Sequence, residues 1–391
     1  MFDYENVIYL DNNATTRVAP EVVEAMMPFF GARYGNASSM YEFGGRVASE
    51  MNKGREQVAA LLGAKPDEII FNACGTESDN TAWHSAVESQ PGKRHIITTK
   101  VEHSAILASG AYYQSKGYDV TYLGVDGQGR IDLDELESAI RPDTALVSIM
   151  YANNETGTIF PIEKVADIVK SRGVLMHVDA VQAVGKLPID LSKLPIDFLA
   201  LSGHKLHAPK GIGVLFVRRG VEFVPFMKGG HQEGHRRAGT ENVPYIVGLG
   251  KACELAAANL DKENTVVAAM RDRLQAGLLE AIPHCKINGD QEHRLPNTLN
   301  ISFEAVEGEA LLLHMDQHRI CASSGSACTT GSLEPSHVLR AMDIPFTFAH
   351  GSVRFSLCRY NTENEIDKVL EVMPGIVQNL RAISPFANFS K

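Results

Sequence analysis

Two groups with complementary chemistry close two apolar runs in the middle of this 391-residue chain. Ile196-Asp197-Phe198-Leu199-Ala200-Leu201-Ser202 reads as a buried strand ending in a polar turn, and it delivers Lys205 within Ser202-Gly203-His204-Lys205. Gly211-Ile212-Gly213-Val214-Leu215-Phe216-Val217 then reads as a second strand. An amine at such a strand end, among small and hydroxyl residues, can shed its proton and form a Schiff base. Upstream, His177-Val178-Asp179-Ala180-Val181-Gln182 is another apolar strand that ends in a carboxylate. A carboxylate to hold a pyridinium nitrogen and a lysine to hold an aldehyde are what pyridoxal phosphate requires. The pairing predicts an enzyme.

Other candidates fit around that pair. In Ala73-Cys74-Gly75-Thr76-Glu77-Ser78 a strand ends, a glycine permits close approach and a helix opens on threonine. Free amides at a helix N-terminus plus a hydroxyl make a phosphate seat, although a plain threonine cap gives the same pattern. His103 follows a strand and opens a helical stretch. Its ring suits stacking on a flat cofactor and proton transfer, or a purely structural place. Asp179 is harder to treat as structural, because burying an unpaired carboxylate is costly; it needs a cation, from a pyridinium or from a Lys or Arg.

A second reactive centre is Cys328, in Ala322-Ser323-Ser324-Gly325-Ser326-Ala327-Cys328-Thr329-Thr330-Gly331-Ser332. A segment of such small residues has little to pack, so it is expected to swing. An exposed thiol there would be a good nucleophile, or an incidental surface cysteine. Cys321, beside Ile320, reads as the structural kind, and Cys74 has no assignable role beyond packing. Arg354 could grip a substrate carboxylate with its planar fork, or form a structural salt bridge. The run from His231 to Asn242 is too polar for a core and reads as a loop that is either solvated or reaches an active site, across a dimer interface.

The elements that must position these groups alternate. Glu68–Phe71, His95–Thr99, Ala145–Met150 and Val174–Asp179 are strand-like; Glu77–Glu88 and Ile162–Arg172 are helical. Short apolar strands separated by helices predict an α/β architecture with a mostly parallel sheet between helices. Each polar cluster falls at the C-terminal end of its strand, the edge where open α/β sheets bind ligands, so Thr76, His103, Asn154, Asp179 and Lys205 can converge. A helical run from about Lys251 to Ala281 leads to strand-like Asn297–Phe303, helical Gly308–Gln317, strand-like Ser352–Ser356 and a closing helix from about Glu363. This predicts a smaller α+β domain. The expected division is a large domain of residues 15–260, with residues 1–14 and 261–391 forming the small domain that carries the Cys328 loop.

Bulk properties exclude several classes. The net charge of −10, from 37 basic and 47 acidic residues, argues against a nucleic-acid partner. No apolar run approaches the ~20 residues of a membrane span, and the acidic N-terminus lacks a signal-peptide pattern. Six cysteines without a Cys-x-x-Cys pair make neither a disulfide framework nor a structural zinc site. A reducing cytoplasm is the expected setting.

The chain resembles the cysteine desulfurases of the NifS/IscS type, in the class V branch of fold-type I pyridoxal-phosphate enzymes. The resemblance runs nearly end to end, through Tyr9-Leu10-Asp11-Asn12-Asn13-Ala14-Thr15-Thr16, Gly75-Thr76-Glu77-Ser78, Glu102-His103, Asn153-Asn154-Glu155-Thr156-Gly157, His177 to Gln182, Ser202-Gly203-His204-Lys205, Arg237-Ala238-Gly239-Thr240, Ser326-Ala327-Cys328 and Arg354-Phe355-Ser356. It implies that Lys205 binds the aldehyde, Asp179 pairs with the ring nitrogen, Gln182 bonds the phenolic oxygen and His103 stacks on the ring. Gly75, Thr76, Ser202 and His204 would hold the phosphate, completed by Thr240 from a partner subunit in a homodimer. Asn154 and Arg354 would bind the L-cysteine carboxylate. Lys205 would take the Cα proton, His103 would carry protons, and Cys328 would leave as a persulfide with L-alanine as coproduct.

The acceptor implied is a sulfur-receiving or iron–sulfur scaffold protein. The glycine-rich stretch from Gly229 to Asn242 looks closer to the nitrogen-fixation branch than to the housekeeping one. The C-terminus, Ser384 to Lys391, does not resemble the tail by which housekeeping enzymes dock a scaffold. The rivals are a selenocysteine lyase or another class V lyase or transaminase, and an iron–sulfur scaffold in which Cys328 contacts a cluster transiently.

Overall fold

The computed structural model describes residues 6–324 and 334–386. The chain enters through β1 (Ile8–Tyr9), α1 (Pro20–Met26) and α2 (Glu42–Leu62). Then come β2 (Ile69–Asn72), α3 (Gly75–Glu88), β3 (His95–Thr99), α4 (Ser104–Ser115), β4 (Asp119–Leu123), α5 (Leu133–Ala139), β5 (Thr144–Ser148), α6 (Ile162–Ser171), β6 (Leu175–Asp179), β7 (Phe198–Ser202) and β8 (Gly213–Val217). These strands form a seven-stranded sheet in the order β2-β8-β7-β6-β5-β3-β4. Only β8 runs against its neighbours β2 and β7; the other pairings are parallel.

The sequence explains the layering. Strands β2, β3, β5, β7 and β8 are buried at every position, as strands covered on both faces must be. Leu146, Phe198 and Leu215 pack on one face with Trp83 and Ala86 of α3 and Ile106 of α4. Their neighbours Val147, Leu199 and Phe216 turn to the other face, against Val58 and Leu62 of α2, Val165 and Val169 of α6, and Ile246 and Leu249. Strand β4 is the exception, with an exposed Asp119 and half-buried Thr121 and Tyr122. It lies at the sheet's edge.

Past the sheet, α7 (Val243–Lys262) continues through one π-helical turn, Glu263–Val267, into α8 (Ala268–Ala281). The single helical run expected there is thus longer at its start and widened in its middle. Strands β9 (Cys285–Asn288) and β10 (Thr298–Phe303), helix α9 (Gly308–Gln317), strand β11 (Ile320–Cys321), helices α10 (His337–Ala341) and α11 (Phe346–Ala349), strand β12 (Ser352–Ser356) and helix α12 (Glu363–Ile383) follow. An antiparallel sheet, β12-β10-β9, shares a second core with α8, α9 and α12, built on Leu274, Leu299, Leu311, Phe355 and Val369. Leu10 joins this second core, whereas Val338, Leu339, Met342 and Ile344 pack into the first. β1 pairs in parallel with β11, and Asp11 bridges to Ser356. That pairing carries the Asp11-Asn12-Asn13-Ala14 run to the carboxyl edge of the large sheet.

Candidate active site

A cavity of about 330 Å³ opens at that edge, lined among others by Asn13, Gly75, Thr76, His103, Asn154, Asp179, Gln182, Ser202, His204, Lys205 and Arg354. The residues come from the ends of β2, β3, β5, β6 and β7 and from β12. Parallel strands all terminate on one side, so residues far apart in sequence meet there.

Asp179 ends β6 with its carboxyl buried, and Oδ1 accepts the Val181 amide at 2.9 Å. Burial pushes its pKa up; the Val181 bond and the charges of His103 and Lys205 pull the other way. The carboxylate is therefore short of positive charge. Lys205 stands on a short 3-10 turn after β7, and its Nζ donates to the carbonyls of Asn13 at 2.6 Å and Ala14 at 2.7 Å. His103 is the N-cap of α4, where its Nδ1 accepts the Ala105 amide at 3.2 Å. Burial holds its pKa below the usual histidine value, with Asp179 raising and Lys205 lowering it. A neutral ring whose Nδ1 is an acceptor carries its proton on Nε2.

The phosphate-seat candidates lie at the start of α3 and after β7. A Cβ on Gly75 would sit 2.7 Å from Val181 Cγ2, so only glycine lets α3 begin this close to the end of β6. Cys74 is the N-cap and lines the same cavity. His204 Nδ1 lies 3.1 Å from the Thr15 hydroxyl, and burial followed by Lys205, Lys210 and Lys186 takes its pKa down to about 4. Ser202 is buried, and Thr76 is exposed at the first turn.

On the opposite wall, Arg354 donates from Nη1 to the Asn154 carbonyl at 2.9 Å and from Nη2 to Asp11 Oδ1 at 2.8 Å. Its buried Nε has no hydrogen-bond partner. An orphaned guanidinium N–H beside a cavity suits a carboxylate guest.

The polar run from His231 to Asn242 is pinned rather than free. Arg55 grips Glu233 through both nitrogens at 2.8 and 2.7 Å, Glu233 also accepts the Phe71 amide, and Arg237 pairs with Glu77 of α3 at 2.9 Å. The loop thus sits beside the start of α3. Thr240 is exposed and does not reach the cavity of its own chain. Cys328 lies outside the described residues, but the flanks of its segment are held on Arg354, which lines the cavity, and on Glu155, which follows cavity-lining Asn154. Ser323 exchanges backbone hydrogen bonds with Arg354, at 3.1 and 2.7 Å, and the Ser336 hydroxyl donates to buried Glu155. His337 Nε2 lies 3.0 Å from the carbonyl of Glu102. Among the described residues no group of three or more potential metal ligands assembles.

Several cavity residues carry no assignment from the sequence. Asp11, Asn13 and Ala14 line or brace the site, and their signal was a polar run directly after apolar Tyr9-Leu10, the same strand-end pattern as elsewhere. Asp79 is buried on α3, 3.4 Å from His177 Nε2, with its carboxyl pushed well above the usual range by burial and by Asp179 and Glu102. Glu102 is raised to about 8, mostly by burial.

The residues present fit pyridoxal phosphate: a buried carboxylate without a salt-bridge partner among the described residues, an amine, a neutral histidine ring and a glycine-opened helix terminus face one cavity of suitable size. Comparison with known proteins agrees. Residues 8–369 match the model of the class-V aminotransferases. The chain is 61% identical to the cysteine desulfurase of Trichormus azollae over 383 residues, 98% of this chain and 96% of that one. It is 57% identical to the cysteine desulfurase NifS of Azotobacter vinelandii over 380 residues, 97% of this chain and 94% of that one. A solved NifS-like protein superposes with a TM-score of 0.90 at 42% identity, covering 96% of this chain and all (100%) of the other. SspA in complex with cysteine superposes with a TM-score of 0.81 at 35% identity, covering 91% of this chain and 100% of the other. Fold, cavity and sequence together place the chain in the class-V aminotransferase family of pyridoxal-phosphate-dependent enzymes.

Proposed function

We propose that this chain is a cysteine desulfurase, which moves the sulfur of L-cysteine onto Cys328 and releases L-alanine for each turnover. The observation that carries the reading is the anchoring of the two flanks of the Cys328 segment, one on cavity-lining Arg354 and the other on Glu155, the neighbour of cavity-lining Asn154. From Ser324 a fully extended chain reaches at most about 3.3–3.6 Å per residue, so Cys328, four residues on, is within roughly 14 Å of Ser324. The names of the relatives at 57% and 61% identity agree with this activity.

When bound, pyridoxal phosphate supplies an aldehyde for the amine of lysine or substrate and a ring that accepts an electron pair. The chain's residues do the rest. Asp179 holds the ring nitrogen, His103 lies against the ring, and Gln182 meets the phenolic oxygen. Gly75, Thr76, Ser202 and His204 hold the phosphate, with Thr240 of a second copy completing the seat in a homodimer. Arg354 and Asn154 orient the substrate carboxylate. Lys205 Nζ takes the proton from the substrate Cα and later returns it. Cys328 as thiolate attacks the substrate sulfur: an S–S bond forms, and the C–S bond breaks with its electron pair passing to carbon. The proton that Cys328 gave up ends on the alanine methyl carbon, carried through His103. Thiol plus cysteine thus gives persulfide plus alanine, with no external oxidant.

The persulfide would pass to a sulfur acceptor or scaffold protein of iron–sulfur assembly, a nitrogenase-linked one by the likeness to NifS, with Cys328 touching a cluster only transiently. Among the described residues no helix is long and apolar enough to cross a membrane, which is compatible with work in the cytoplasm.

The test is an absorbance scan with and without L-cysteine, followed by mass analysis of the Cys328 peptide. A cofactor band that shifts with cysteine and one added sulfur on Cys328 are expected. Cys328→Ala should keep the coloured cofactor yet form no persulfide and no stoichiometric alanine. Full sulfide release by that variant would remove Cys328 from the mechanism.

A further inference from the structure

Behind the cavity lies a buried lysine for which the scheme above has no use. Lys186 is 6% exposed, and its Nζ donates to two oxygens of one residue, the Gln182 carbonyl at 3.1 Å and Gln182 Oε1 at 2.9 Å. Both are neutral acceptors, which compensate poorly for taking an ammonium out of water. Burial, aided by Lys205 and Arg354 and opposed by Glu263, lowers its pKa to about 7. A group this costly to bury needs an offsetting task.

The hydrogen-bond chain supplies one. A lysine amine offers hydrogens, so the Gln182 amide must turn its oxygen toward Lys186. At the other end Gln182 Nε2 donates to the Asn13 carbonyl at 2.9 Å, and that carbonyl can only accept. The same Asn13 carbonyl receives Lys205 Nζ at 2.6 Å. Gln182 is therefore fixed from both sides. One hydrogen of its NH2 group is spent on Asn13, and the other remains for the cavity that Gln182 lines.

We infer that Lys186 is a positioning residue: by holding Gln182 Oε1 it locks the amide with its second N–H toward the cavity, where it is presented to the phenolic oxygen of the bound cofactor. The inference rests on the reading that Gln182 faces that oxygen. With no donor behind Oε1, only the Asn13 carbonyl would hold the amide, and its second N–H could swing away from the anionic phenolic group, so that the attraction is lost.

The experiment is a pH titration of the bound cofactor's absorbance in holoprotein without substrate, in Lys186→Met, Lys186→Arg, Gln182→Leu and the Lys186→Met/Gln182→Leu double variant. An N–H donated to the phenolic oxygen draws electron density from it and eases loss of the neighbouring nitrogen's proton. Losing that donor should raise the titration midpoint by roughly half to one pH unit, the scale of a partly lost hydrogen bond to a charged group. Lys186→Met and Gln182→Leu should shift it alike, the double variant no further than Gln182→Leu alone, and Lys186→Arg, which keeps donors toward Oε1, should restore the original midpoint. An unshifted midpoint in folded, cofactor-loaded Lys186→Met overturns the inference. So does an equal extra shift in the Gln182→Leu background, since Lys186 would then act as a bare charge. If Lys186→Met and a second truncation, Lys186→Leu, both fail to fold, the residue is structural and the inference falls. Failure of the unmodified protein to form any cofactor band would instead defeat the cofactor reading, before any variant is compared.

Discussion

On the sheet side of the cavity burial sets the charges, whereas on the β12 side a permanent cation sets them. Asp79, Glu102 and Asp179 are all pushed toward the protonated form and His103 toward the neutral one, with burial first among the causes. Across the cavity, Arg354 is buried like the three carboxyl groups, yet a guanidinium keeps its charge at any working pH, and it is paired with Asp11. The first wall holds groups whose protons a reacting ligand can move. The second can only attract and orient. Chemistry should therefore fail when the sheet wall is altered, and binding when the β12 wall is.

The largest effect should come from Lys205→Ala. Removing the amine leaves no group to hold the aldehyde or take the Cα proton, so the cofactor band should vanish and turnover fall by about 10³-fold or more. Retained turnover at an unchanged band would break the comparison at its strongest point. Arg354→Lys should act on the other parameter. Lysine keeps the charge but loses the planar fork, so KM for L-cysteine should rise on the order of 10- to 100-fold while kcat changes little. A collapse of kcat at constant KM would mean that the β12 wall takes part in chemistry.

How much of this was legible in the sequence follows from which signals are local. Asp179, Lys205 and His103 stood out because each closes an apolar run, and continuous apolar runs reveal strands buried on both faces. Edge strand β4 gave no such run, since Asp119 is exposed and Thr121 and Tyr122 are only half-buried. The antiparallel direction of β8 depends on a turn that returns the chain at once, while the apolar pattern is the same in either direction. The Arg354–Asp11 pair was out of reach because it joins residues brought together only when β1 meets β11. Likewise the hold of Lys186 on Gln182 is an ordinary i,i+4 spacing until burial gives it meaning. The role of Cys328 rested on composition and resemblance, and only the flanks of its segment, Ser323 and Ser336, have a described place in the site.

A smaller effect should separate the walls through pH. Glu102 is raised from the ordinary 4.5 to about 8, by burial before its bonds from Met150 N and the Thr99 hydroxyl pull it down. Its folded form thus binds a proton more tightly than its unfolded form. The stabilisation is complete below about pH 4.5 and is lost progressively as pH rises toward 8. Glu102→Gln keeps an acceptor for Met150 N and Thr99 and fills the place of Oε2, which has no partner. Measured against the unmodified protein, its stability should gain with rising pH across that window, by an amount on the order of a few kcal/mol at the upper end. A pH-independent difference would mean that Glu102 is ionised in the folded state, and that burial does not govern the sheet wall.

The smallest effect tests the second wall with one charge. Asp11 occupies Arg354 Nη2 at 2.8 Å, and its carboxylate would compete electrostatically with a substrate carboxylate for the same guanidinium, if Arg354 holds the substrate as proposed. Asp11→Asn keeps an oxygen for Nη2, so the geometry should persist while the competing charge is gone. A partly exposed charge pair of this kind is worth about 1 kcal/mol, and the arginine side chain is 6% exposed against 19% for the aspartate. KM for L-cysteine should therefore fall by a few-fold, about what 1 kcal/mol provides, with kcat unchanged. A rise in KM would show that Asp11 acts by aiming Arg354 rather than by screening it, and the β12 wall would then owe its binding to pre-organised geometry more than to net charge.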